Sequence, residues 1–118
     1  MEEVPEPMFG LPATPALILQ TYDCRDRCGV SGFLLLHEDA MMALFAGLPY
    51  IEHFFPGSRA ELTLDRSLGG QREAVLVATI RSNADPERAV EALELLDDAL
   101  WRAGAYVDDL LFDAGPSA

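Results

Sequence analysis

Two short stretches, residues 16–22 and 74–80, are apolar on both of the faces that an extended chain presents. A stretch of that kind needs cover from two sides, so each reads as a strand in the middle of a sheet. The segments around them fill in the rest of a small sandwich. From Glu38 the spacing of Met41, Leu44, Phe45, Leu48, Ile51 and Phe55 predicts a helix. Pro49 predicts a kink in it, or two short helices meeting at residues 47–49. Pro56-Gly57 ends it.

Residues 59–66 alternate, with Ala60, Leu62 and Leu64 on one side and Glu61, Thr63 and Asp65 on the other, as a half-exposed strand does. Residues 67–71 supply a turn. Asp85-Pro86-Glu87 then opens a helix, with a capping carboxylate, proline at the first helical position and an acid against the dipole. Gly104 closes it. Residues 106–112 make a last strand, partly exposed because of its acids.

The order strand, helix, strand, strand, helix, strand predicts an α+β fold. The expected form is a ferredoxin-like α/β sandwich, a four-stranded antiparallel sheet with two helices on one face. In that topology the first and third strands are central, which agrees with the two doubly apolar runs. Residues 30–37 read either as a strand, adding an N-terminal hairpin, or as the approach to a helix. Residues 1–15, with Pro5, Pro7, Pro12 and Pro15, read as a mobile tail, residues 16–113 as one domain and residues 114–118 as a second tail.

Charge narrows the partners. Twenty acids against eight bases give a net charge of −12, and all eight bases are arginine. Nucleic acid and anionic membrane surfaces are held mainly by cations that neutralise phosphates, so neither is expected as a partner. The absence of lysine rules out Schiff-base chemistry and a phosphate-loop lysine. No cofactor is implied. The acidic, proline-rich start is unlike a signal peptide, and the expectation is a cytoplasmic protein.

Four side chains carry a metal reading. Cys24 and Cys28, four residues apart after the first predicted strand, are thiolates of the kind that suit Cu(I) or zinc, with His37 or His53 completing a set. The bland alternative is a pair of ordinary thiols. The segment Gly29-Val-Ser-Gly-Phe33 has a faint likeness to a phosphate-cradling loop, but no arginine follows it.

From Phe54 onwards the chain resembles an uncharacterised group of small acidic bacterial proteins. Phe55-Pro56-Gly57 matches its first element, and Ala89-Val90-Glu91-Ala92-Leu93, Leu96-Asp97 and Trp101 match its helix. The resemblance covers about half the chain, implies the fold and singles out Asp97 and Trp101, and brings no activity with it.

Asp97 stands apart from the other acids of its helix. At about 100° per residue it falls between Val90 and Leu93, in the arc of Leu96, Leu100, Ala89 and Ala103. A buried acid needs a partner. The structural expectation is an arginine of the sheet, such as Arg59, Arg66 or Arg81, or backbone donors. The functional expectation is that Asp97 meets a binding partner, with Trp101, Glu94 and Asp98 around it.

The function expected is therefore a small non-catalytic protein-interaction module. It would bind a basic protein, in an antitoxin-like or immunity-like role by analogy. The alternatives are a metal-binding, sensor or small-enzyme site at Cys24 and Cys28, and a homo-oligomeric structural protein pairing through its sheet.

Overall fold

The computed structural model describes residues 14–65 and 74–116. The predicted turn at 67–71, Arg66, most of the first predicted tail and residues 117–118 of the second lie outside the described residues, while residues 114–116, expected to be tail, belong to the last strand. Eight elements follow in order: α1 (Pro15–Thr21), β1 (Asp23–Cys24), α2 (Arg27–Leu36), α3 (Glu38–Phe54), β2 (Arg59–Asp65), β3 (Val75–Ser82), α4 (Pro86–Arg102) and β4 (Leu110–Pro116).

The architecture is α+β, a mixed four-stranded sheet with helices on one face. The strands lie in sequence order, β1-β2-β3-β4. β1 is parallel to β2, β2 antiparallel to β3, and β3 parallel to β4. Each parallel pair is joined by a helical crossover, as parallel pairing requires. This corrects the expected pairing. From Glu38 onwards the order of helices and strands is the predicted one, but a ferredoxin-like sheet interleaves its two halves and here each half pairs within itself.

The first predicted strand is also corrected. Residues 15–21 form α1, begun by Pro15 and by the Thr14 hydroxyl, which accepts the Leu17 N–H at 3.2 Å. A short run with five apolar residues in succession, Pro15 to Leu19, has no period that separates helix from strand. Tyr22 ends α1 and buries its ring, and its hydroxyl donates to the Leu44 carbonyl at 2.6 Å. Residues 27–36, which include the ambiguous segment, form α2. Asp26 caps it by accepting the Gly29 N–H at 3.0 Å, and Val30, Phe33 and Leu34 face the core. α3 is one helix with Pro49 inside it, not two.

β3 is central, as predicted, and every second residue shows why. Leu76, Ala78, Ile80 and Ser82 lie on the helix-covered face. Their register partners Leu62, Ala60, Leu110 and Phe112 extend that face across β2 and β4. Leu44, Leu96, Leu100 and Ile18 close the core from the helices. Burying each such leucine or isoleucine contributes about 1.5–3 kcal/mol. Gly47 of α3 faces the Phe112 ring, which a Cβ at that position would meet in ordinary contact at 3.4 Å. No single helix among the described residues is long and apolar enough to cross a membrane. α2 and α3 reach that composition only together and meet at 109°.

Candidate functional site

α4 is placed by local chemistry. The Asp85 carboxylate accepts the Arg88 N–H at 3.0 Å, Pro86 opens the helix, and Glu87 meets its positive end. At the other end Gly104 adopts φ +74°, a left-handed conformation open to glycine. The N–H groups of Gly104 and Ala105 turn back to the carbonyls of Trp101 and Leu100.

The helix buries less than its sequence offers. Only Leu96 and Leu100 are fully covered, Leu93 is half-buried, and Val90, Leu95 and Trp101 are exposed. The cause is its position beside β4, the last strand of the sheet. There is no fifth strand among the described residues to carry cover further out. Two cavities therefore flank the α4–β4 seam. One, of about 540 Å³, lies between Val90 and Leu93 and residues 113–115. The other, of about 380 Å³, lies between Asp97 and Trp101 and residues 110–112. Trp101 and Tyr106 meet edge to face at the mouth of the second.

Asp97 contradicts the structural expectation. Its side chain is exposed at the rim of this cavity, and it has no ion pair or hydrogen bond among the described residues. Of the arginines expected to receive it, Arg59 is engaged with Asp23 and Arg81 with Glu61, and Arg66 lies outside the described residues. Partial burial against its apolar neighbours pushes the Asp97 carboxyl above the ordinary aspartate range. Asp98 pairs instead with Arg102, 3.0 Å away and one turn on, while Glu94 is exposed. Of the four residues assigned to partner binding, Asp97, Asp98 and Trp101 line one cavity. Glu94 is not among its lining residues.

The metal reading gathers little. Cys24 is half-buried in β1, and Cys28 is exposed in the first turn of α2; both are free thiols. Burial, followed by the charge of Asp26, pushes the Cys24 thiol up. His37 stands at the α2–α3 junction, stacked on Phe33, with Nδ1 3.0 Å from the Phe33 carbonyl oxygen and Nε2 3.9 Å from Asp109. His53 lies at the far end of α3, edge-on to Phe54. Among the described residues no group of three or more His, Cys, Asp or Glu side chains is arranged to hold a metal ion. Residues 29–33, compared with a phosphate-cradling loop, lie within α2.

Sequence reasoning missed a gathering of arginines. Arg25, Arg59, Arg81 and Arg88 line one cavity of about 740 Å³ at the end of the sheet where β2 begins and β3 ends. The signal was the register of the β2–β3 pair, which sets Arg59 opposite Arg81. That register depends on a turn whose length composition alone does not fix. Compared with protein-family models, with curated proteins and with solved structures, the chain matches none.

Proposed function

We propose that this chain is a small non-catalytic interaction module that takes an extended, basic segment of a partner protein along the α4–β4 seam. The position of Asp97 carries the reading. Its carboxylate sits between exposed apolar side chains and lacks a cation among the described residues. Partial burial disfavours its charged form in the isolated domain, and an incoming Arg or Lys reverses that penalty.

The surroundings suit such a guest. The outer edge of β4 presents backbone donors and acceptors that can template an added strand. Trp101, at 66 % exposure, and Tyr106, at 56 %, offer aromatic anchors of the type that dominates interfaces. The net charge of −12 steers a basic partner towards the domain. The resemblance of the second half of the chain to a group of small acidic bacterial proteins singles out the same two residues, Asp97 and Trp101. An antitoxin-like or immunity-like role in the cytoplasm fits size and charge by analogy. The thiol-centred alternative draws less support, because a thiol pushed up by burial is the reverse of an activated one.

Selection of random extended peptides on the immobilised domain tests the proposal. Enriched peptides are expected to carry Arg or Lys with apolar residues at alternate positions, and Asp97→Asn is expected to remove the basic preference. Enrichment without basic residues, or equal enrichment on the variant, would sink it. A dimer in sedimentation that Leu111→Lys dissolves would assign the β4 edge to a second copy of the chain instead.

A further inference from the structure

A second site is built at the end of the sheet away from Trp101. Arg59 and Arg81 are direct partners across the antiparallel β2–β3 pair, and Asp23 and Glu61 are direct partners across β1–β2. Like charges set opposite one another in a sheet destabilise it. Here each is relieved across the strands. Arg59 donates from Nε and Nη2 to the two oxygens of Asp23 at 3.1 and 2.7 Å, and Arg81 donates from Nη2 to Glu61 at 2.8 Å. The result is a fixed pair of guanidiniums on the open face.

Two further arginines reach the same cavity in looser, exposed ion pairs. Arg25 Nε lies 3.7 Å from Glu61 and Arg88 Nε 3.7 Å from Asp85, too far for hydrogen bonds, and both side chains are more than four-fifths exposed. Half of the arginines of a chain with net charge −12 thus line one cavity whose wall holds, among the described residues, two acids, Asp23 and Glu61, with Asp85 beside Arg88. Both acids are already engaged by the fixed pair.

We propose that this cavity binds a small doubly charged oxyanion, a phosphomonoester or a dicarboxylate. Arg59 and Arg81 form the preset floor, and Arg25 and Arg88 fold over as arms. Planar guanidiniums recognise both anion types with paired hydrogen bonds, which is why the chemistry is shared. The cavity is far larger than phosphate alone, and Phe54 and Pro56 in its wall supply apolar cover for an organic remainder. The site shares no residue with the cavity at Asp97 and Trp101, so either can fail without the other.

The test is calorimetric titration of the full chain at low salt with phenyl phosphate, inorganic phosphate and succinate. Attraction of this kind is screened over about 8–10 Å at physiological ionic strength. Binding of phenyl phosphate or succinate is expected, weakened about tenfold or more in Arg25→Gln/Arg88→Gln, whose exposed side chains leave the melting temperature unchanged. Phenyl phosphate binding alone assigns phosphoryl ligands, and succinate binding alone assigns carboxylates. No binding of any probe up to about 10 mM, or equal binding by the double variant, would overturn the proposal.

Discussion

Trp101 and Tyr106 meet edge to face with ring centroids 5.3 Å apart, on either side of the glycine turn that ends α4, and each ring is more than half exposed. Aromatic pairs are favoured in this geometry by about 0.5–1.5 kcal/mol beyond the area they bury, and the apolar area they still expose is available to a partner. Left open, the pair does little for the isolated domain. It stands beside a carboxylate whose ionisation partial burial disfavours. The relationship is that of a surface prepared for something else.

Asp97 gives a pH signature with a definite sign. Its carboxyl is raised in the folded state, so between the unfolded and folded values the folded chain holds more protons. Asp97 therefore favours folding below the unfolded aspartate value, near pH 4, and that contribution is lost as pH rises through the folded value. Denaturation of wild type and Asp97→Asn across pH 3.5–7 is expected to show the variant gaining relative stability as pH rises. A variant that instead loses stability at neutral pH would mean that Asp97 has a partner within the chain.

Tyr22 gives a stability prediction. Its ring is buried and its hydroxyl donates to the Leu44 carbonyl, tying the end of α1 to the middle of α3. Tyr22→Phe keeps the ring and removes the donor. The expected loss is about 1 kcal/mol, or about 4–8 °C in Tm for a domain of this size. An unchanged melting curve would mean that the bond contributes nothing.

The cysteines are expected to differ in reactivity. Cys28 is exposed in α2, whereas Cys24 is half-buried with a thiol pushed up by that burial. Alkylation near neutral pH followed by mass spectrometry should mark Cys28 well before Cys24. Equal rates, or Cys24 reacting first, would revive the reading of Cys24 as an active thiol.

What was legible in the sequence is what local chemistry decides. Asp85, Pro86 and Gly104 bracket α4 because capping, the proline ring and left-handed φ act within one turn. β3 was legible as a central strand because both of its faces are apolar. Residues 16–22 were not, since a short apolar run lacks a period, and the Thr14–Pro15 start was the better signal. Gly29 and Gly32 weakened the helical spacing of Val30, Phe33 and Leu34, and α2 stayed ambiguous. The last strand begins at Leu110 rather than at 106, because the chain first turns through residues 105–109 after Gly104. Strand order is a long-range property that element order alone does not determine. Asp97 failed for a related reason: a helical wheel gives the apolar arc of α4, but how far the sheet extends beneath it decides how much is covered.

The docking account is tested most directly by Trp101→Ala, measured for peptide affinity and for Tm on the same preparation. The peptide is the basic one recovered on the wild-type domain. An exposed side chain outside the fold's special positions is expected to shift stability by no more than about 0.5 kcal/mol. An aromatic anchor is expected to account for about 2 kcal/mol of binding, close to thirtyfold in Kd. The account predicts affinity lost and melting unchanged. Melting lowered by several degrees with affinity intact would contradict it, and would make Trp101 part of the fold.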